Sequence, residues 1–236
     1  QPDGPGLPVF CVHGDEASHF IPKHMGPERP FYAFFHQGED GSAIEHDTVE
    51  RIAAHFISEM KQARPQGPYL LTGYSFGGIV AYEMAQQLTA AGDQVPMLVL
   101  LDTYAPGLHI TAVESDAKFY DPLKKLVMRS LVKRALTSGR PVPMELRNFH
   151  IIDTYDKAVK AYRPKPYKGK LTVIKAERSW GPNEMGWSAL AQGGLEVQLV
   201  PGDHFSVILE PQVAVLAQRL AERIAGIERS SMEAVS

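Results

Sequence analysis

The sequence predicts an α/β fold with a mostly parallel, doubly wound sheet, and three observations lead to this prediction. Short apolar runs of strand length alternate along the chain with stretches whose apolar residues recur at helical spacing. The run from Val95 to Leu101 is almost wholly apolar and branched, as expected of a central parallel strand covered on both faces. At Gly73-Tyr74-Ser75-Phe76-Gly77, an apolar run passes directly into a helical pattern.

Two strands and a helix are predicted before this turn. Residues 7–12 have the pattern of a buried strand that ends at His13-Gly14, and residues 31–35 that of a second strand. Residues 48–62 form a helix in this prediction, because six apolar residues recur at the spacing of one helix face. These six are Val49, Ile52, Ala53, Phe56, Ile57 and Met60. Glycine and proline then end that helix before the strand at 68–72.

The alternation continues after the central turn. The helix that follows Ser75 is expected to run through Leu88, before Ala91-Gly92-Asp93 stops it. Later strands are predicted at 170–174 and 195–200, and an amphipathic helix at 211–227.

The alternation of strands and helices is interrupted by about sixty residues, roughly 106–166. They contain two helix-like stretches, about 115–136 and about 144–162, and no convincing strand. Because the interval is too long for a simple connection, we interpret it as a helical lid inserted into a single domain that spans residues 1–236. A second small domain that decorates the sheet is the alternative.

Composition narrows the class of protein. The chain has 236 residues and a formal net charge of −3, and no apolar run is long enough to span a bilayer. Its one cysteine, Cys11, falls inside an apolar strand, which favours a buried packing role. The chain shows no secretory signal and does not begin with Met, so we expect a cytoplasmic domain cut from a longer protein. Between Lys118 and Lys170 there are 14 basic and 4 acidic residues, which predicts a basic face.

The stretch Gly73-Tyr74-Ser75-Phe76-Gly77-Gly78 has the pattern of a nucleophile elbow, the sharp strand-to-helix turn of α/β-hydrolases. The serine of such a turn takes a strained conformation, so the residues two before and two after it must lack a Cβ. The turn lifts the serine hydroxyl above the sheet edge and aims the first helical amides at it. Ser75 is therefore the predicted nucleophile.

The nucleophile needs a base, and the base needs an acceptor that fixes its tautomer. In this fold the acid follows the serine in the chain and the histidine comes last, each after the C-terminal end of a strand. Asp102 meets this condition directly after Leu101, and His204 meets it after the last strand.

Rival residues are less well placed. Asp93 belongs to a loop on the opposite edge, Asp203 is next to the histidine in sequence, and Asp153 and Asp156 belong to the predicted lid. The other histidines lie in the lid, just before it, or ahead of the serine: His150, His109, His13, His19, His24, His36, His46 and His55.

His13-Gly14 ends the first strand on the same side of the sheet as the elbow. The loop there should supply a second oxyanion-hole amide beside the amide of Phe76, and we interpret His13 as an orienting residue of that loop. No spacing of His, Cys and carboxylates suggests a metal site, and no Gly-x-Gly-x-x-Gly follows the first strand. We therefore expect neither a metal nor a cofactor.

Over nearly its whole length the chain resembles the type I thioesterase domains that end polyketide synthases, nonribosomal peptide synthetases and fatty acid synthases. The matching segments are residues 8–14, 67–71, 73–78, 81–85, 100–102 and 202–205, with Gly186-Trp187 before the last strand. The predicted lid matches poorly, and lids are where these enzymes diverge.

The resemblance implies an acyl chain delivered as a thioester on the phosphopantetheine arm of an acyl or peptidyl carrier domain in the same polypeptide. Ser75 would attack the thioester, with His204 as the general base held by Asp102. The acyl-Ser75 ester would then be released to water or to an internal nucleophile of the acyl chain. No cofactor is needed for the hydrolysis itself.

Carried over by position, the amides of Phe76 and Asp15 would form the oxyanion hole. Asp15 departs from the family pattern, which commonly has an apolar or neutral residue there, and an inward carboxylate would oppose the oxyanion. Its side chain should turn outward, or the amide assignment shifts to Gly14.

The basic middle of the chain suggests how a carrier domain could dock. Carrier domains tend to be acidic, so Lys124, Lys125 and Lys133 could steer one towards the lid. A solvated helix face is the alternative.

Three other functions stay open: a stand-alone editing thioesterase, a serine esterase on free esters, and a noncatalytic binding module. The intact order of serine, aspartate and histidine argues against the last. We expect no nucleic-acid or membrane partner, and the sequence leaves the acyl group, the choice between hydrolysis and cyclisation, and the oligomeric state open.

Overall fold

The computed structural model describes residues 3–13, 16–108 and 121–233. Six strands form one sheet in the order β2-β1-β3-β4-β5-β6, and every neighbouring pair is parallel. The strands are β1 (Val9–Val12), β2 (Phe31–Phe34), β3 (Leu70–Tyr74), β4 (Met97–Leu101), β5 (Leu171–Ala176) and β6 (Leu195–Val200). The helices are α1 (Glu16–Met25), α2 (Val49–Ala63), α3 (Phe76–Ala90), α4 (Pro122–Thr137), α5 (Met144–Ala161) and α6 (Gln212–Glu233). This architecture confirms the predicted α/β fold.

The sheet separates two hydrophobic cores, because successive side chains of a strand point to opposite faces. Phe10 and Val12 of β1 enter the core shared with α2, α3 and α5, whereas Val9 and Cys11 enter the core shared with α1 and α6. Cys11 is fully buried in this core, which agrees with its predicted packing role.

Helix α2 shows how the sequence pattern becomes structure. Five of its six predicted apolar positions are buried, and the sixth, Ile57, packs against the core while partly exposed. Each large apolar side chain buried in this way stabilises the fold by about 1.5–3 kcal/mol. The hydroxyl of Thr48 caps the helix by accepting the amide of Arg51 at 3.3 Å.

Helix α1 is absent from the sequence-based prediction. Pro22 lies inside it and supplies no amide for the helical ladder, which hides the helix from a reading of sequence pattern. Tertiary packing compensates, because Ile21 is fully buried in the core shared with α6. Residues 16–25 thus form a helix that their sequence pattern does not predict.

In the described part of the interval interpreted as a lid, two helices lie between β4 and β5. Helix α5 contributes Ile151, Tyr155 and Val159 to the main core, and Phe149 packs in a small cluster with Val132 of α4. The first part of the helix predicted at 115–136 lies outside the described residues. The division of the chain into one domain and a lid stays a prediction.

Among the helices of the described ranges, none combines the length and the apolar character that a bilayer-spanning segment needs.

Candidate active site

Ser75 occupies the turn between β3 and α3 with φ 52° and ψ −122°, in a region that non-glycine residues rarely adopt. The turn is locked, since the Ser75 amide donates to the Leu101 carbonyl at 3.0 Å. A Cβ on Gly73 would lie 2.3 Å from the carbonyl oxygen of Gly77, and one on Gly77 would lie 2.1 Å from that of Val12. These contacts are the physical reason for the glycines on both sides of the serine.

The three predicted catalytic side chains lie in one hydrogen-bonded line. The Nε2 atom of His204 is 3.1 Å from the Oγ of Ser75, and its Nδ1 atom is 2.7 Å from Oδ2 of Asp102. With the proton on Nδ1 donated to the carboxylate, Nε2 can accept the proton of the serine hydroxyl. The geometry matches the predicted nucleophile, base and acid, and their catalytic roles stay a prediction.

Asp102 is fully buried and is satisfied by three donors. Besides the imidazole, its Oδ1 accepts the amide of Ala176 at 2.8 Å and its Oδ2 accepts the hydroxyl of Ser179 at 2.6 Å. A buried carboxylate needs such hydrogen bonds to offset the loss of its contacts with water. Ser179 is absent from the sequence-based prediction; its place three residues after β5 puts it at the same edge of the sheet but does not by itself show that it contacts Asp102.

Two residues, Tyr74 and Asp203, hold the loop that carries His204. The ring of Tyr74 stacks under the imidazole with centroids 5.0 Å apart, and its hydroxyl donates to the His204 carbonyl. Asp203 accepts the amide and the hydroxyl of Ser206, each at 2.9 Å. Hydrogen bonds from the Ser206 amide and from Arg178 hold the pKa of Asp203 well below its ordinary value. Asp203 therefore anchors the loop and does not orient the imidazole.

Two other rival acids, Asp93 and Asp153, form ion pairs with basic side chains. Asp93 pairs with Lys61 at 2.6 Å, and Asp153 pairs with Arg129 at 2.6 Å and with Lys157 at 2.7 Å. None of these carboxylates has a hydrogen bond to a described histidine.

A cavity of about 810 Å³ opens over Ser75. The elbow and the histidine loop form its floor, with Phe205 and Ile208 beside them, and α5 forms the opposite wall. The α5 residues that line it are Met144, Arg147, Asn148, Ile151, Ile152, Tyr155 and Asp156. A mostly apolar cleft of this size with a few polar groups is typical of a small-molecule site.

Of the two residues predicted to form the oxyanion hole, only Phe76 lies within the described ranges. Phe76 is the first residue of α3, and its ring stacks on that of Tyr155 with centroids 4.2 Å apart. Gly14 and Asp15 lie outside the described residues, so the second amide stays a prediction.

His13 is buried at the edge of the cavity, where it stacks against the rings of Phe76 and Tyr155. Burial, followed by the nearby His36, lowers the pKa of His13 well below its ordinary value, so the ring is neutral. Within the described ranges, no group of three or more His, Cys, Asp or Glu residues could hold a metal ion.

The parallel sheet, the elbow and the aligned serine, histidine and aspartate define a protein of the α/β-hydrolase class. The model of the family described as "Thioesterase domain" matches residues 8–223, and the chain belongs to this family.

Relatives and solved structures agree with this membership. The chain is 25% identical over 237 residues to Malpibaldin synthetase of Mortierella alpina, which covers 92% of this chain and 4% of that protein. It is 28% identical over 206 residues to the non-reducing polyketide synthase atnG of Arthrinium sp, covering 75% of this chain and 10% of that protein. The chain thus spans a small fraction of the length of these relatives.

Among solved structures, the fold is similar to that of the NocB thioesterase domain in covalent complex with a fluorophosphonate nocardicin G analogue. The TM-score is 0.67 at 24% identity, with 93% of this chain and 94% of that chain covered.

Proposed function

We propose that the protein releases an acyl chain from the phosphopantetheine arm of a carrier domain through an acyl-Ser75 intermediate. The observation that carries this proposal is the line from Ser75 through His204 to Asp102 at the floor of the large cavity. Membership of the thioesterase family supports a thioester as the bond that is cleaved.

The chemistry follows from the positions of the protons. The Nε2 atom of His204 takes the proton of Ser75 while Oγ forms a bond to the thioester carbonyl carbon. Negative charge then develops on the carbonyl oxygen, towards the amide of Phe76 at the start of α3. The tetrahedral intermediate collapses, the C–S bond breaks, and the imidazolium returns its proton to the leaving thiolate. The products of this half-reaction are the free thiol of the arm and the acyl-Ser75 ester.

The second half-reaction repeats these steps with a different nucleophile. Water, or a hydroxyl or amine of the acyl chain itself, gives its proton to His204 and attacks the ester carbonyl, and Ser75 leaves with the proton restored. Attack by water gives an acid, and attack by the acyl chain gives a ring. The same three side chains serve both outcomes, so the shape of the cavity decides between them.

We propose polyketide or peptidyl chains as the substrate class. The cavity falls within the range that drug-sized ligands occupy, which fits acyl groups larger than acetyl. The printed names of the two relatives, a synthetase and a polyketide synthase, support the same class. Their lengths support a carrier domain in the same polypeptide, because the matched region is a small part of each.

Helix α4 is the proposed docking surface for that carrier domain. Lys124 and Lys133 are exposed and Lys125 is half-buried, and in the described part of the chain none of the three forms an ion pair. Reversing the charge of all three should weaken the turnover of a carrier-bound substrate and flatten its salt dependence, while turnover of a small soluble thioester stays unchanged. Unchanged carrier-dependent turnover in the triple variant would remove these lysines from the proposal.

Intact-protein mass spectrometry tests the central claim. The chain is incubated with a panel of acyl thioesters, and the wild type should gain the mass of one acyl group, which Ser75→Ala should not gain. A serine-directed fluorophosphonate should likewise label the wild type and should not label Ser75→Ala. No adduct on the folded wild type would contradict the proposal and favour a binding module. Equal rates on oxygen esters, with no preference for a carrier-bound substrate, would indicate an esterase instead.

A further inference from the structure

The loop that follows β5 contacts both the acid and the base of the site. We call residues 176–180, which begin with the last residue of β5, the β5 loop. Its first residue, Ala176, and its fourth, Ser179, donate the two hydrogen bonds that hold Asp102 besides that of His204. Their lengths are 2.8 Å and 2.6 Å, so both are well formed.

The other side of the β5 loop holds the chain that leads to His204. The amide of Glu177 donates to the Val200 carbonyl and the amide of Arg178 to the Gly202 carbonyl, each at 2.9 Å. The guanidinium of Arg178 also pairs with Asp203 at 2.9 Å. The loop therefore fixes the relative positions of the acid and the base.

A buried lysine fixes the loop itself. Lys175 is 2% exposed, and its ammonium donates to the Ser179 carbonyl at 2.6 Å and to the Ala176 carbonyl at 3.2 Å. No ion pair joins it to a carboxylate of the described residues. A buried ammonium is costly unless it is hydrogen-bonded, and here its two acceptors belong to the two residues whose donors hold Asp102. From the opposite side, the hydroxyl of Tyr104 donates to the Trp180 carbonyl at 2.8 Å.

We propose that Ser179 is a positioning residue of the catalytic group, which acts by holding the carboxylate of Asp102 in line with His204. This inference rests on the proposed function. Oδ2 of Asp102 accepts from both the Ser179 hydroxyl and the imidazole, so the serine fixes the rotation of the carboxylate.

The test compares kcat and KM of the full chain on a short acyl thioester of N-acetylcysteamine. Ser179→Ala should lower kcat about 10- to 100-fold with KM nearly unchanged, since a hydrogen bond to a charged group is lost. Ser179→Thr keeps the hydroxyl and should restore most of the rate. The matched control is Ser230→Ala, which removes an exposed hydroxyl on α6 and should have no effect.

A double-mutant cycle separates positioning from a merely structural role. In the Asp102→Asn background, Ser179→Ala should reduce the rate further by less than about 3-fold, because residues that act through one another are not additive. A full-size loss in that background, or a Ser179→Ala enzyme with wild-type kcat, would overturn the inference while leaving the proposed function intact. If the wild type and Ser75→Ala hydrolyse the thioester equally slowly, the proposed function itself fails.

Discussion

Replacing Asp102 by asparagine tests the site most severely, because the change is nearly isosteric but alters both the charge and the hydrogen bonding of the side chain. Three donors converge on the carboxylate: the Nδ1 of His204 at 2.7 Å, the amide of Ala176 at 2.8 Å and the hydroxyl of Ser179 at 2.6 Å. An asparagine offers one acceptor oxygen, so its NH2 group must face at least one of these donors. If the oxygen keeps the Ala176 amide, the NH2 group faces the imidazole and favours the tautomer with its proton on Nε2. That tautomer cannot accept the proton of Ser75.

The expected loss follows from this inversion. The wrong tautomer lowers kcat by about 10⁴-fold, and at about 1.36 kcal/mol per tenfold this corresponds to about 5.4 kcal/mol of transition-state stabilisation. Stability should fall less, by about 1–3 kcal/mol, because one buried donor loses its acceptor.

The assay is the single-turnover rate of acyl-enzyme formation, measured by intact mass beside a thermal melt. Asp93→Asn is the matched control, since Asp93 pairs with Lys61 outside the site and its loss should leave the rate unchanged. A folded Asp102→Asn protein that acylates at close to the wild-type rate would refute the assignment of Asp102 as the acid.

Three further predictions concern stability, each measured as the free energy of unfolding in urea. Gly78→Ala places a Cβ 2.0 Å from the Oγ1 of Thr103, so it should destabilise the fold by about 1–3 kcal/mol; unchanged stability would contradict this packing. Burial lowers the pKa of His13, so in acid the unfolded chain binds more protons than the folded chain. The free energy of unfolding should therefore decrease as the pH drops below about 6.5, by up to about 1.4 kcal/mol per pH unit. His13→Asn, which tolerates the left-handed backbone, should flatten that slope, and an equal slope in both proteins would exclude His13 as its source. Tyr162→Phe removes a 2.6 Å hydrogen bond to Glu83 and should cost about 2 kcal/mol, whereas a loss near zero would mean that this contact is worth little.

The sequence predicts those residues of the candidate site whose positions depend on chain order and on the ends of strands. Ser75, Asp102 and His204 each follow a strand of a parallel sheet, and the C-terminal ends of such strands meet at one edge. Ser179 also follows a strand, but serine is common in loops, and only the rotation of the β5 loop decides that its hydroxyl reaches Asp102. Sequence pattern carries no information about that rotation.

Helical periodicity predicts that a face is apolar but not what covers it. Helix α5 begins at Met144 as predicted, and its apolar residues enter the core or line the cavity. Helix α4 has comparable apolar spacing, yet only Val132 is buried. Several of its large apolar side chains are exposed instead: Leu123, Leu126, Val127 and Leu131. The difference arises from tertiary placement, since α5 packs on the sheet core whereas the buried residue of α4 packs beside α5.

The backbone at this edge of the sheet is strained in a way that favours function over stability. Three neighbouring strands, β1, β3 and β4, are each followed by a non-glycine residue in the left-handed region: His13 (φ 47°), Ser75 (φ 52°) and Asp102 (φ 43°). Each such residue costs about 1–2 kcal/mol relative to a right-handed conformation. Glycine would relieve the strain at each position but would remove the side chain. The proposed nucleophile and the proposed acid stand at two of these turns, and the third residue lies beside Phe76, whose amide is the proposed oxyanion donor. Of the four described non-glycine residues with positive φ, three therefore stand at this edge of the sheet, and the fourth is Met185. Strained residues that cluster in this way are a pattern expected of an active site.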